Sequence, residues 1–357
     1  MKRIRRVMAL LFVMVMVLTA AGCHKKDEIA VTIDDVEFTS AYYMCALINA
    51  NMEAKSLVYE SLTDEEKQAE EIDYYSKKVE DKEYVSWVED KAIENLKEIA
   101  AYKLLCKENN LELDEEKANS AETNASYYWS SYGYSIYFEP NGVSMNTYKQ
   151  YAKDSLYSER YFEFLYSEGG EKAISADEVK TKIYDNYVIA DILEASYAED
   201  ATDGDKELLK VRMDNYAKQL KSGEKTFEQV YNDYNNVTAE TPEMSTEEGS
   251  AKDKYAQVLG AEGTNYASSY YDSVKAMKNG EVKVEENEAG TALYIFLKQD
   301  IASDPFYLTD LDMEARHLIA DEDYEKLITD YAKTLKPEIN NYAVKQFKVK
   351  KIVEPSK

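Results

Sequence analysis

Apolar residues recur at helical spacing over most of this sequence, and few residues interrupt the pattern. Only 5 of the 357 residues are Pro and only 12 are Gly, and these are the residues that most strongly end or weaken helices. Hydrophobic residues make up 45% of the chain, which excludes a disordered chain and suffices for a sizeable core. We therefore predict a predominantly helical fold with two lobes.

The period of the pattern changes between residues 187 and 298. The apolar runs Tyr187–Tyr197 and Gly290–Lys298 predict strands. Between them we expect helices at 206–221, 226–234 and 265–278, with an acidic loop over 236–263. This order describes an α+β module inserted between helical segments. The predicted fold class is therefore α+β, predominantly helical.

Three shorter segments have weaker patterns. Alternation over Ile29–Phe38 predicts a short strand and a turn, and the apolar residues of 347–352 predict a final short strand. Residues 120–143 are rich in Ser, Asn, Tyr and Gly, which favours an irregular connector or a loosely packed hairpin. Capping boxes at Thr63–Glu66 and Ser175–Glu178 predict the starts of two helices.

The first 22 residues have the features of a bacterial signal peptide. Basic residues within the first six precede the apolar run Val7–Leu18, which is too short to span a bilayer. Small residues then lead to Cys23, in an order that resembles a lipobox. We predict lipidation of Cys23 and anchoring to the outer, extracytoplasmic face of the bacterial cell membrane. A plain secretory peptide with a chance Cys is the alternative.

Net charge, the number of histidines and the spacing of acidic residues disfavour several classes of function. The chain has 43 Lys and Arg against 69 Asp and Glu, a formal net charge of −26, and phosphate binding to nucleic acid needs a basic face. With only His24 and His317, and no G-x-S-x-G sequence, a Ser or Cys hydrolase is disfavoured. The acidic run Glu199–Glu207 lacks EF-hand spacing and is expected to be a solvated loop that caps the next helix. No metal or cofactor is predicted.

Two features leave alternatives open. Cys45 and Cys106 either form a disulfide or are buried free thiols. Many of the 32 Tyr lie between residues 127 and 166, where helical spacing over part of the zone indicates a core. The irregular part, with Tyr128, Trp129 and Tyr132, would instead expose amphipathic rings suited to binding unrelated peptides.

The order of several segments carries a resemblance to a known family. The segments are Val31–Thr39, the series Val143–Tyr148, Ser175–Val179 and Ala190–Leu193, and the turns Leu220–Phe227 and Met277–Val282. The last two are similar to the L-x-x-G-x-x-F and L-x-x-G-E-V turns of parvulins. Together they resemble the PrsA/SurA-type extracytoplasmic foldases, in which a parvulin peptidyl-prolyl isomerase domain is inserted into a helical chaperone lobe.

The resemblance implies a domain division and a function. It places the signal peptide at 1–22, the chaperone lobe at 23–185 and 303–357, and a parvulin-like domain at 186–302. The partners would be unfolded or nascent secreted polypeptides, bound without ATP, and the membrane through the lipid anchor. The sequence leaves the oligomeric state open.

The isomerase half departs from the family. The two parvulin His positions correspond here to Asp191 and Tyr294, and the proline-pocket Met and Phe to Tyr266 and Tyr270. The resemblance therefore implies a degenerate isomerase site, with Tyr266, Tyr270, Tyr128, Trp129 and Tyr132 as candidate peptide-binding residues.

Two other functions remain as alternatives. One is an active isomerase with a variant pocket in which Asp191 and Tyr294 are the polar members. The other is the solute-binding lipoprotein of a transporter, a class with two α/β lobes and more strands than this sequence predicts.

Overall fold

The computed structural model describes residues 28–69, 71–235 and 255–354. These residues divide into two units. One contains the described residues up to Glu171 and from Glu322 onward, and the other contains Lys172–Asp321. Helices dominate and the sheets are small and antiparallel, so the predicted α+β, predominantly helical class is confirmed. The predicted signal peptide and Cys23 lie outside the described residues.

The strands and helices are as follows, in chain order. The strands are β1 (Ile29–Ile33), β2 (Val36–Thr39), β3 (Lys78–Val79), β4 (Lys82–Glu83), β5 (Tyr187–Ser196), β6 (Ala256–Gly260), β7 (Val282–Glu286), β8 (Ala292–Lys298) and β9 (Pro337–Ile339). The helices are α1 (Ser40–Ser61), α2 (Asp64–Lys67), α3 (Tyr84–Glu108), α4 (Glu115–Ser131), α5 (Ser135–Phe138), α6 (Met145–Asp154), α7 (Leu156–Tyr166), α8 (Ala176–Asn186), α9 (Asp203–Ser222), α10 (Phe227–Asn235), α11 (Tyr271–Lys275), α12 (Pro305–Asp310), α13 (Asp312–Thr334) and α14 (Asn341–Val344). Within the three described ranges, no helix has both the length and the apolar content needed to cross a membrane.

The two predicted capping boxes are confirmed. The Thr63 side chain accepts a hydrogen bond from the amide of Glu66, whose carboxylate accepts from the Thr63 amide at 3.0 Å. Ser175 and Glu178 make the same reciprocal pair, also with a 3.0 Å bond to the Ser175 amide. Each pair satisfies amides that the first turn of a helix leaves without partners.

The first unit holds a three-stranded antiparallel sheet with β1 between β2 and β9. Val31 of β1 lies opposite Phe38 on one side and Ile339 on the other. The prediction of a final strand at 347–352 is wrong, because that segment contains the 3₁₀ turn Val349–Lys351. The strand that completes the sheet is the earlier β9, whose pairing with β1 depends on contacts distant in sequence.

Residues 120–143 do not form the predicted connector or hairpin, because most of them belong to α4 and α5. The hydroxyl of Ser126 donates to the carbonyl of Glu122 at 2.7 Å, and that of Ser130 donates to the carbonyl of Ser126 at 3.0 Å. Ser side chains can bond either within a turn or one turn back in a helix. The Ser-rich composition therefore did not distinguish the two structures.

Tyrosine supplies much of the core of the first unit. The ring of Tyr324 lies 5.2 Å from that of Phe162, and its hydroxyl donates to the carbonyl of Ser158 at 2.7 Å. The hydroxyl of Tyr166 donates to the carboxylate of Asp323 at 2.7 Å. Buried tyrosines are tolerated when the hydroxyl keeps a partner, so the helical part of the Tyr-rich zone belongs to the core.

The two thiols of the described chain are free and buried, so the disulfide alternative for Cys45 and Cys106 is not found. Burial raises the pKa of both thiols, and that of Cys106 rises to about 11. They behave as small apolar residues of the core.

A four-stranded antiparallel sheet in the order β6-β5-β8-β7 forms the centre of the second unit. On one face, Leu193 and Ile295 pack with Met213 of α9 and Val230 of α10. On the other face, Phe296 and its neighbours pack with residues of α11. Burial of both faces explains why β5 and β8 are continuous apolar runs in the sequence.

Parts of this module differ from the prediction. Strand β6 lies inside the predicted loop, β7 was not predicted, and the helix expected at 265–278 is reduced to α11. The amide of Gly260 donates to the carbonyl of Tyr266 at 2.6 Å, and the amide of Ser268 donates back to the carbonyl of Gly260 at 3.1 Å. These bonds hold the start of the expected helix in an extended turn. The predicted domain boundaries at 186 and 302 both lie inside the second unit.

Candidate functional site

Asp191 and Tyr294, which correspond to the two parvulin His positions, lie on opposite faces of the sheet. Asp191 pairs with Leu297 across β5 and β8, whereas Tyr294 pairs with Glu194. Because side chains alternate along a strand, Asp191 shares the face of α9 and α10 and Tyr294 shares the face of α11. Asp191 is buried and accepts a hydrogen bond from Gln299 Nε2 at 2.6 Å. The structure does not bring these two side chains together.

Tyr294 instead contacts Tyr270, the other predicted site residue on its face. Their ring centroids are 4.8 Å apart, and the ring of Phe296 lies 5.1 Å from Tyr270 and 5.8 Å from Tyr294. Burial raises the pKa of Tyr294, and the adjacent Tyr270 and Glu194 raise it further. Tyr294 therefore keeps its proton at neutral pH and can donate a hydrogen bond.

A cavity of about 370 Å³ opens beside these rings. We call it the tyrosine cleft. Its lining comes from both faces of the sheet, since Leu193 and Tyr231 belong to the face of α9 and α10 whereas Tyr270 and Tyr294 belong to the face of α11. The lining residues are Ile192, Leu193, Glu194, Tyr231, Asn235, Gln257, Leu259, Ser268, Tyr270 and Tyr294. The cleft combines aromatic and aliphatic surface with amide, hydroxyl and carboxylate groups, as ligand-binding clefts commonly do.

Tyr266 does not line the tyrosine cleft. Its ring lies 6.1 Å from that of Tyr187 in an edge-to-face arrangement. The hydroxyl of Tyr187 donates to Glu314 Oε1 at 3.2 Å, and the same carboxylate oxygen accepts from the amide of Asn265 at 2.9 Å. Of the four positions singled out in the second unit, the structure thus brings only Tyr270 and Tyr294 together in a cleft.

Two of the three candidates in the first unit are exposed. Tyr128 and Tyr132 are 44% and 65% exposed, and the adjacent Tyr127 is 57% exposed. Their rings contact one another, with centroids 5.3 Å apart for Tyr128 and Tyr132 and 5.6 Å apart for Tyr127 and Tyr132. We call these three residues the exposed tyrosine cluster. It occupies the last turn of α4 and the residue that follows it.

Trp129 is not exposed, contrary to the prediction. Only 3% of its surface is accessible, and its ring contacts those of Phe138 at 6.1 Å and Tyr148 at 5.6 Å. The reason is the helix itself. At about 100° per residue, Trp129 projects about 200° from Tyr127 and about 100° from Tyr128, and Tyr132 lies just beyond the last residue of α4.

The sequence interpretation missed Glu194, Tyr231 and Gln257 as cleft residues. Glu194 has a signal, because it and Asp191 are the two charged residues of a mostly apolar predicted strand. Tyr231 and Gln257 have none, since they reach the cleft only through the packing of α10 and the pairing of β6. The acidic loop before α9 is a helix cap, in which Thr202 and Asp205 form a capping box.

Comparison with known proteins gives matches among solved structures. No protein-family model matches the sequence, and no curated protein matches it. The foldase PrsA of Streptococcus pneumoniae is 14% identical, with a TM-score of 0.39 over 74% of this chain and 93% of that chain. PrsA of Lactococcus lactis is 9% identical, with a TM-score of 0.38 over 88% and 96%. PrsA of Bacillus subtilis is 14% identical, with a TM-score of 0.35 over 70% and 86%.

The PrsA-type resemblance predicted from the sequence is found again in these matches.

Proposed function

We propose that this chain is an extracytoplasmic foldase that binds unfolded secreted polypeptides and limits their aggregation. It would be tethered by a lipid on Cys23, would use no ATP, and would carry a parvulin-like domain at 186–302 within a helical lobe formed by 23–185 and 303–357. The solved structures similar to this chain are named as foldases.

The observation that carries this proposal is the exposed tyrosine cluster. Three mutually contacting aromatic rings at the surface form a contiguous patch, and such patches mark sites of interaction. Tyr offers apolar area with few rotatable bonds and a polar tip, which suits contact with many unrelated segments. The net charge of −26 would keep the chain from self-association while it holds a client.

We propose that the isomerase activity has been lost. Isomerisation requires a site that stabilises the twisted amide more than the planar one, against a barrier of about 20 kcal/mol. The positions of Asp191 and Tyr294 support the loss of isomerase activity, because side chains on opposite faces of a sheet cannot act on one peptide bond. A cleft that only binds peptide gives no rate gain.

The test is suppression of aggregation of a reduced, unfolded client, monitored by light scattering. The protein is the chain from His24 onward, which keeps every described residue, without nucleotide. We expect suppression at equimolar ratio and a clear loss on triple substitution of Tyr127, Tyr128 and Tyr132 by Ser. Tyr342→Ser is the matched control, because Tyr342 is 74% exposed and lies outside the cluster. Absence of suppression at equimolar or higher ratio would reject the foldase proposal.

The tyrosine cleft favours one second candidate, an active isomerase with a variant pocket. Its rings and its neutral Tyr294 hydroxyl could contact a prolyl peptide. A protease-coupled assay on a proline peptide decides between the two. An isomerisation rate equal to the uncatalysed background would exclude the active isomerase.

A further inference from the structure

We propose that the tyrosine cleft selects unfolded segments in which a Lys or Arg side chain adjoins an apolar residue, and that Glu194 sets this preference. The inference rests on the proposed foldase function and names the client chemistry of one site.

Glu194 is the single charged residue among those that line the cleft. It lies near the end of β5, is exposed, and accepts a hydrogen bond from Ser196 Oγ at 3.1 Å. Within the described ranges it forms no salt bridge. Glutamates on β7 of the same sheet differ, since Glu285 lies 2.9 Å from Lys283 and Glu286 lies 3.2 Å from Lys210. Glu194 is thus available to a cation from outside the chain.

The rings beside Glu194 offer a second attraction for a cation. Cations cover other tyrosine faces in this unit, with Arg212 4.9 Å from the centroid of Tyr234 and Lys206 5.2 Å from that of Tyr197. In the part of the chain that the structure describes, no Lys or Arg covers the faces of Tyr270 or Tyr294. A guanidinium or ammonium group next to a carboxylate and an aromatic face gains from both interactions.

The rest of the cleft determines what accompanies the cation. Ile192 and Leu259 provide aliphatic surface, and the amides of Asn235 and Gln257 can bond to a peptide backbone. A segment with a basic residue beside an apolar one satisfies both parts of this lining. An acidic segment would meet Glu194 and the negative field of the whole chain, which disfavours it.

Peptide binding tests the preference. Fluorescein-labelled ten-residue Gly-Ser peptides carry a central Leu-Lys-Leu, Leu-Gln-Leu or Leu-Glu-Leu, and anisotropy titration with the chain from His24 onward gives their Kd values. We expect the Lys peptide to bind about fivefold more tightly than the Gln peptide, as one ion pair and one cation–π contact allow. The Glu peptide should bind most weakly.

The Glu194→Gln variant should bring the Lys and Gln peptides to within twofold of each other. Glu207→Gln is the matched control, because it removes the same charge from an exposed position of α9 outside the cleft and should leave the ratio unchanged. Tyr270→Ala should weaken binding of both peptides, and of the Lys peptide more, because it removes apolar surface and also an aromatic face for the cation. Both glutamates are exposed, so an unchanged Tm verifies the fold of each variant.

Three results would overturn the inference: no measurable binding of the Lys peptide, no preference for Lys over Gln, or equal effects of the Glu194 and Glu207 variants. If any of these occurs while the chain still suppresses aggregation, the foldase proposal stands and only the cleft assignment fails. If binding is selective and depends on Glu194 but the chain does not suppress aggregation, the cleft assignment stands and the foldase proposal fails.

Discussion

Glu194 and Tyr294 lie directly opposite each other across β5 and β8, on the face of the sheet where Tyr270 contacts Tyr294. Asp191 lies three positions earlier in β5 and therefore on the other face. The side-chain period of a strand is two, so an odd displacement moves a side chain from one face to the other. Glu194, and not Asp191, is the carboxylate among the residues that line the tyrosine cleft.

The stability of the aromatic packing beside the cleft should depend on the Phe296 ring more than on the Tyr294 hydroxyl. Phe296 has no accessible surface and contacts Tyr270 at 5.1 Å, so Phe296→Ala should lower the free energy of unfolding by about 3–5 kcal/mol. Tyr294→Phe keeps the ring and should cost less than about 1 kcal/mol. Urea unfolding followed by circular dichroism measures both. Similar losses for the two variants would contradict the packing described for this face.

The sequence predicted the parts of the second unit that local periodicity determines. Apolar residues follow a clear pattern within the segments that form β5, β8, α9 and α10, and such a local pattern is enough to predict a strand or a helix. Strand β6 and the shortened α11 could not be predicted, because bonds between Gly260 and residues 266–268 decide them. For the same reason the sequence could not show that Asp191 and Tyr294 lie on opposite faces of the sheet, because strand register follows from pairing between distant segments.

For the candidate site, the sequence interpretation named Tyr270 and Tyr294, whose rings are in contact, and Tyr128 and Tyr132, which are exposed. It misplaced Trp129, because the Ser-rich composition around it concealed a helix with one buried face. The contrast between Trp129 and Tyr132 illustrates the difference between aromatic residues that hold a fold and those that are available to a partner.

Trp129 and Tyr132 should therefore respond differently to truncation. Trp129→Ala removes a ring that is 3% exposed and should lower the free energy of unfolding by about 3–5 kcal/mol. Tyr132→Ser alters a side chain that is 65% exposed and should change stability by about 0.5 kcal/mol or less, while it weakens suppression of client aggregation. Thermal unfolding and light scattering measure the two effects. A destabilised Tyr132→Ser variant would show that the cluster is structural.

Asp154 is a buried acid that should be essential for stability of the first unit. It is 2% exposed, and it accepts hydrogen bonds from the Tyr42 hydroxyl and from Lys103 Nζ, both at 3.0 Å, and from Gln150 at 2.7 Å. Asp154→Ala leaves Lys103 without its counter-charge and should cost about 3–5 kcal/mol. Asp154→Asn keeps an acceptor for Tyr42 and should cost less. Urea unfolding gives both values, and a neutral Asp154→Ala variant would contradict the network.

Stability should fall at alkaline pH, with Cys106 among the groups responsible. Burial raises the pKa of this thiol to about 11, from an ordinary value of 9.0. Between these two values the folded chain binds more protons than the unfolded chain, so the free energy of unfolding decreases as pH rises. The contribution is fully present below about pH 9 and is lost as pH approaches 11.

A Cys106→Ala variant isolates this contribution, because alanine removes the ionisable group. Its cavity lowers stability at every pH, but the decline between pH 9 and 11 should be shallower than that of the unmodified chain. The readout is the urea concentration at the unfolding midpoint, measured at half-unit intervals of pH. Ionised Cys106 raises the pKa of Tyr157, Tyr161 and Tyr324, so the difference between the two slopes reports the thiol together with its coupling to these tyrosines. Parallel slopes would mean that Cys106 ionises as readily in the folded chain as in the unfolded one.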